Sequence, residues 1–448
     1  MKIIIVGAGE VGRHLCQQLS TENHEVVLID RDAEHLRRIE RELNILAIEG
    51  NGASPSILEE AGISKADLFI AVTDMDEVNL ISCIMAKEYG VEQLVARVRN
   101  QEYLSLNSPL SEHRLGIDLV INPDLVMAQE IVRISELSEA FEMVDFAQGE
   151  VVLLGYQIQE DNPVCGLSLS KLRDIQGQTN FLIVAIVREG QTIIPKGSDV
   201  IQPGDRIYIV VRKKDITATE KLLNLVSSAP KKVFIIGGGR VGFKLAEEME
   251  DKGVDVYIIE IDPKRCEFLA EKLSKAVVLN FDGLEANELI AEGIDQADLV
   301  VAVTGGDTTN ILASLLAKHH GAKKSITRIS RPDFIPLLGS LGIDVALSAR
   351  LVAANMILRF VRRGGVLSGA LLLGGEAEVL EYFVSDQWPY IEKPLKDIKF
   401  PDGVIIAAIV RGDEVHIPSG DSVIKAGDRL IMFALKEQSQ ALEEFINP

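Results

Sequence analysis

A chain of 448 residues is long enough for two to four domains of ordinary size, and with 47% hydrophobic residues it can bury the cores they need. Its 67 acidic and 46 basic side chains leave a net charge of −21, which excludes a long-range field drawing in nucleic acid or an anionic membrane surface. Four isolated cysteines (Cys16, Cys83, Cys165, Cys266) with no CxxC pair exclude a disulfide framework and a cysteine metal site. The apolar runs LIVAIV at 182 and VIIAAIV at 404 fall short of the roughly 20 residues that cross a bilayer, so a soluble cytoplasmic protein is expected.

The opening MKIIIVGAGEVG predicts a short strand over Ile3 to Val6 rather than the apolar region of a signal peptide. It runs into the turn Gly7-Ala8-Gly9-Glu10-Val11-Gly12 and then a helical stretch, RHLCQQL, the context in which GxGxxG reads as a dinucleotide fingerprint. Gly7 permits the tight turn, Gly9 lets backbone amides approach a pyrophosphate and Gly12 lets the helix pack closely. Phosphate would then rest on the positive end of the helix. Asp30, 23 residues beyond Gly7, closes the second strand, where a carboxylate suits the ribose hydroxyls of an adenosine and repels the 2′-phosphate of NADP.

Further along, LFIAVT delivers Thr73 and Asp74 to the carboxyl edge of a predicted parallel sheet, where ligands of such sheets bind. Arg97 follows in LVARVR, placed either to pair with phosphate bidentately or to form a structural ion pair with an aspartate. The alternation of β-branched runs and amphipathic stretches over residues 1–122 predicts βαβ units, and Asn122-Pro123-Asp124 starts a helix. Residues 141–226 then read as a small β-rich domain ending in a helix. SSAPKK at 227 reads as a linker.

Past that linker the chain repeats itself, with a period of about 230 residues. GGGRVG at 237 matches GAGEVG at 7, VYIIEID matches VVLIDRD, EGIDQADLVVAVTG matches AGISKADLFIAVTD, and LGIDVALSARLVAANMILR matches LGIDLVINPDLVMAQEIVR. The second site therefore comprises Gly237, Gly238, Gly239, Arg240, Val241, Gly242, Glu260, Thr304, Gly305 and Arg328. The small domains match as well, with eight of fifteen positions from Ile194 to Tyr208 identical to Ile417 through Ile431. The expected fold is α/β: two tandem Rossmann-like doubly wound parallel-sheet domains, each followed by a small α+β domain. The expected bounds are 1–122, 141–226, 232–348 and 368–448.

The two sites are not copies. Glu10 stands where the second repeat has Arg240, and Asp74 where it has Gly305; if either side chain leans toward the phosphates, the second site is expected to prefer the more highly charged ligand. None of the seven histidines recurs between repeats, and the small domains offer no nucleophile with a base partner, so no catalytic residue is assigned. Lys87 and Lys318 do recur; a lysine favouring the C-terminal end of its helix dipole accounts for them.

The order GxGxxG, D/E, AVT, N, R, followed by a β-domain with IPxGxxVIxxGDR, twice over, resembles the RCK/KTN family of potassium-conductance regulators across nearly the whole chain. What the resemblance implies is a cytosolic, non-catalytic subunit that binds NAD(H), and ATP or ADP besides. It would assemble as a homo-oligomeric ring, peripheral to the inner face of the cell membrane, and gate a membrane-embedded potassium-translocating subunit of the Trk/Ktr type. The family's small domains bind ions or small ligands in some members. One departure is the glycine-rich VRRGGVLSGALLLGGEAEV from 361, which stands where the first repeat has VRISELSEAFEMVDFAQGEV and is expected to make the second linker unlike the first. The alternatives are an NAD-dependent two-domain oxidoreductase, or a nucleotide-binding scaffold for another membrane protein.

Overall fold

The structure, a computed structural model, describes residues 1–448 except 22–23, 105–114, 137–139, 176–179, 226–228, 332–333, 362–365, 373–376, 413 and 447–448. Part of the SSAPKK segment, His113, and parts of the glycine-rich stretch from 361 therefore lie outside the described residues. The chain divides into two compact units, the first comprising Met1–Glu130 and Leu347–Val361 and the second Ile131–Ala346 and Arg362–Pro448.

In the first unit, β1 (Lys2–Val6), β2 (Glu25–Asp30), β3 (Leu46–Glu49), β4 (Leu68–Ala71), β5 (Gln93–Arg97) and β6 (Leu119–Ile121) form one sheet in the order β3-β2-β1-β4-β5-β6. All of its pairings are parallel. Both faces are covered, so the strand interiors are apolar: Ile3, Ile5, Leu28, Ile70 and Val95 enter one core, and Ile4, Val6, Ile29, Phe69 and Ala96 the other. The strand order reverses between β1 and β4, which puts the crevice where such sheets bind ligands directly over the turn that follows β1. The first core also takes in a helix from far down the sequence, Ala349–Val361, which buries Ala353, Ala354, Ile357, Leu358 and Val361 there.

The second unit opens with an antiparallel sheet of β7 (Ala140–Phe146), β8 (Val151–Gln157), β9 (Phe181–Arg188), β10 (Gln191–Ile193) and β11 (Arg206–Arg212), in the order β10-β9-β11-β8-β7. A second parallel sheet follows: β12 (Lys232–Ile236), β13 (Asp255–Glu260), β14 (Val277–Asn280), β15 (Leu299–Ala302), β16 (Lys324–Arg328) and β17 (Val345–Leu347), ordered β14-β13-β12-β15-β16-β17. The last sheet, β18 (Val366–Leu372), β19 (Ala377–Phe383), β20 (Val404–Arg411), β21 (Glu414–His416) and β22 (Arg429–Leu435), repeats the small antiparallel one as β18-β19-β22-β20-β21. The glycine-rich stretch expected to be a linker thus contains β18, the counterpart of β7, so its described part is sheet.

The two small sheets share one core, in which Val151, Leu153, Ala185 and Val210 of one pack with Val379, Ala408, Ile431 and Phe433 of the other. Their common GDR signature has a structural reason. Asp205 and Asp428, each 1% exposed, take both Nε and Nη2 of Arg188 and Arg411 respectively, at 2.7–2.8 Å. Among the described residues no helix is long and apolar enough to cross a membrane.

Candidate functional site

Each glycine of the first turn has its own physical reason. Gly7 holds φ +111°, and a Cβ there would lie 2.9 Å from the Thr73 amide nitrogen; Gly12 lies against its own turn, where a Cβ would sit 1.9 Å from the Gly7 carbonyl oxygen. Gly9 differs, since a Cβ there would meet nothing within 4 Å. Gly237, Gly242 and Gly239 repeat these three environments, at 2.9 Å, 1.9 Å and open space. Strand, turn and helix, Glu10–Thr21 or Arg240–Asp251, therefore leave an uncovered backbone surface at a helix N-terminus, a shape and polarity that suit a phosphate. A glycine not singled out in the sequence closes the back of each turn. A Cβ on Gly52 would lie 2.1 Å from Val6 Cγ1, and one on Gly283 2.4 Å from Ile236 Cγ2.

The acids at the ends of β2 and β13 are tied to the turns. The Ala8 amide donates to Asp30 Oδ2, and the Asp32 amide to Oδ1 at 2.9 Å. In the second copy the Gly238 amide donates to Glu260 Oε2 at 2.8 Å and the Asp262 amide to Oε1 at 2.9 Å. Each carboxylate oxygen keeps a second acceptor position, so a hydroxyl can still donate to it.

Thr73 and Thr304 stand just beyond β4 and β15, each held by an asparagine. Asn79 Oδ1 accepts from the Thr73 amide at 2.9 Å and from its hydroxyl at 2.7 Å, while Nδ2 donates to the Thr73 carbonyl at 3.1 Å and the Arg97 carbonyl at 2.8 Å. Asn310 makes the same four bonds to Thr304 and Arg328, at 2.8, 2.7, 3.2 and 3.0 Å. These buried amides lock two strand ends together around each turn. The N of the sequence motif is their only trace in the sequence. Asp74 and Gly305, one residue on, are exposed.

Arg97 donates from Nη1 to the Thr73 carbonyl at 3.2 Å, and neither it nor Arg328 forms a salt bridge among the described residues. The Nε atoms of Arg97 and of Arg99 are buried without a hydrogen-bond partner among the described residues. Burial first, and Arg99 alongside it second, lower the Arg97 guanidinium from its ordinary value, against Asp124, Asp76 and Asp74. An added anion is what would relieve such a group. The second repeat has Ser330 in place of Arg99, but it carries a cation the first lacks. Arg265 donates from Nε to the Gly238 carbonyl at 2.6 Å and from Nη2 to the Gly239 carbonyl at 3.2 Å, with its guanidinium 4.4 Å over the Phe268 ring. His35 occupies the equivalent place and faces Asp32 at 3.5 Å.

Glu10 and Arg240 both head their helices exposed. Glu10 has Arg350 of the helix Ala349–Val361 at 3.8 Å, an encounter that sequence reading could not supply. The recurring lysines make further bonds: Lys87 Nζ donates to the Leu115 carbonyl at 2.9 Å, and Lys318 Nζ to the Lys323 carbonyl at 2.8 Å and to Asp344. Both stand in the last turn of their helices, where a cation favours the helix dipole, and these bonds also tie neighbouring segments down.

Two doubly wound domains of dinucleotide type in one chain, each trailed by a small antiparallel domain, define a tandem nucleotide-fold protein. The chain belongs to the TrkA family: the TrkA-N domain matches residues 3–123 and 233–349, and the TrkA-C domain residues 153–224 and 379–447. It is 36% identical to the Trk system potassium uptake protein TrkA homolog 2 of Methanosarcina mazei, over 99% of both chains. It is 34% identical to the Trk system potassium uptake protein TrkA of Halomonas elongata, over 98% of this chain and 96% of that one. Among solved structures, the GsuK RCK domain superposes with TM-score 0.62 at 20% identity, covering 100% of this chain and 95% of that one. The GsuK channel bound to NAD gives 0.61 at 20% identity, covering 100% and 79%. At that identity the likeness is one of fold.

Proposed function

We propose that this chain is a nucleotide-sensing regulatory subunit of a Trk-type potassium uptake system. NAD(H), and ATP or ADP besides, bind at the two glycine turns, and the chain, assembled with further copies into a ring at the inner face of the cell membrane, gates a separate potassium-translocating subunit. The observation that carries this reading is likeness over the full length: a relative named as a potassium uptake protein matches 99% of the chain. The duplicated open turns at Gly9 and Gly239 support the ligand class.

The turn amides and the helix N-terminus would hold a pyrophosphate, and Asp30 and Glu260 would accept from ribose hydroxyls. Arg97 and Arg328 would add donors from the next strand. A 2′-phosphate would meet Asp30 or Glu260 as like charge, which disfavours NADP. The ligand acts by binding two arrangements of the protein unequally, a coupling of about 1–3 kcal/mol in typical systems. No bond is made or broken in this reading.

Potassium uptake by cells lacking the chain tests it: the wild-type chain restores uptake, and a Gly9→Asp, Gly239→Asp double variant of equal abundance does not. Full rescue by that variant would contradict regulation through the turns. Hydride transfer from NADH by the purified chain would contradict its non-catalytic part.

A further inference from the structure

We infer that Arg350 is a phosphate-contacting, specificity-determining residue of the first turn, delivered there by a helix from the second half of the chain. The inference rests on the turns being nucleotide sites and adds a residue to one of them.

The helix Ala349–Val361 packs Ala353, Ala354, Ile357, Leu358 and Val361 into the same core as Leu15, Cys16 and Leu19 of the helix that the first turn opens. That packing fixes Arg350, in the first turn of its helix, beside Glu10, the first residue of the other. Arg350 Nη1 lies 3.8 Å from Glu10 Oε2, beyond hydrogen-bond reach. The side chain of Arg350 is 20% exposed and that of Glu10 56%. Arg350 Nε is buried with no hydrogen-bond partner among the described residues. A guanidinium has five donors in a fixed fork that matches phosphate bidentately, and among the described residues this one is set against one loose carboxylate.

The space next to Glu10 is the uncovered face of Gly9, where an added Cβ would meet nothing within 4 Å. A phosphate placed there gains the positive helix end and suffers the charge of Glu10, and Arg350, 3.8 Å from that carboxylate, adds a cation that offsets the repulsion. Asp124 occupies the equivalent position in the first repeat, so the duplication does not account for this arginine. Arg350 therefore reads the phosphate of the ligand rather than its base, and the first site is complete only when the second half of the chain supplies it.

The test uses the full chain with its second turn disabled by Gly239→Asp, reading ADP by calorimetry and adenosine by displacement of a fluorescent ADP analogue. Arg350→Gln should weaken ADP by about tenfold or more, as loss of a bidentate charged contact does, leave adenosine unchanged, and do so equally in a Glu10→Gln background. Arg350→Lys should recover part of the loss. Unchanged ADP affinity would overturn the assignment, as would an equal loss for adenosine, which marks a displaced helix. A loss that vanishes with Glu10→Gln would also overturn it, leaving Arg350 as a shield for the carboxylate. Failure of the Gly239→Asp chain with native Arg350 to bind ADP would overturn both this and the site reading, and is distinguishable because it precedes any change at Arg350.

Discussion

The glycines of the two turns separate ligand binding from folding. Because a Cβ at Gly9 or Gly239 meets open space, Gly9→Asp and Gly239→Asp should fold normally while placing a like charge where phosphate sits. A Cβ at Gly12 or Gly242 falls 1.9 Å from a carbonyl oxygen, so Gly12→Ala and Gly242→Ala should lose at least about 1–3 kcal/mol. Thermal melts beside nucleotide titrations check the contrast, and equal melting losses in both pairs would remove it. Glu250 makes a pH prediction. Burial pushes its carboxyl up, but the amides of Lys275, Ser274 and Ala276 outweigh burial and hold it below the ordinary value. A lowered folded-state value means a contribution present above about pH 4.3, the unfolded value, and lost as pH falls through the folded one. Urea stability of the wild type should fall more steeply below that pH than that of Glu250→Gln; parallel curves would contradict it.

Between strands and helices, the asparagine clamp sets the shape of each site. All four hydrogen-bonding positions of Asn79 are used on two strand ends, so Asn79→Ala orphans the Thr73 amide and the Arg97 carbonyl. A cost of about 1–3 kcal/mol for such orphaned groups is expected in urea unfolding, with weaker nucleotide binding, and a similar cost for Asn310→Ala. A variant as stable as wild type would show the clamp to be dispensable. The strands, the helices, the glycines and the two acids were legible in the sequence because hydrophobic period and turn chemistry are local, and because the repeat fixed a register in which Glu260, Thr304 and Arg328 could be read off Asp30, Thr73 and Arg97. What was not legible depends on which surfaces meet. A 3.6-residue pattern shows that Ala349–Val361 has an apolar face, but not that this face enters the core of Ile3 and Ile5. Arg350 beside Glu10, and Arg265 on the Gly238 carbonyl, were hidden for the same reason.

Taken whole, the chain uses one module twice and then makes the copies unequal. Its small sheets share a single core through matched small residues, Ala185 and Ala408, both wholly buried. Glu381 of β19 accepts from the Ala147 amide at 3.1 Å and from Arg429 Nη1 at 3.2 Å. Ala408→Leu should overpack that core and cost about 1–3 kcal/mol in thermal unfolding; an unchanged melt would mean that the sheets part easily. The turns differ in charge, with Glu10 and Arg350 at one and Arg240 and Arg265 at the other, so they should rank ligands differently. Calorimetric titration of the purified full-length chain with NAD, NADH, ATP and ADP bears most directly on its role as a nucleotide sensor. We expect two binding events per chain, one removed by Gly9→Asp and the other by Gly239→Asp. Absence of binding by all four nucleotides, or binding untouched by both substitutions, would contradict that role.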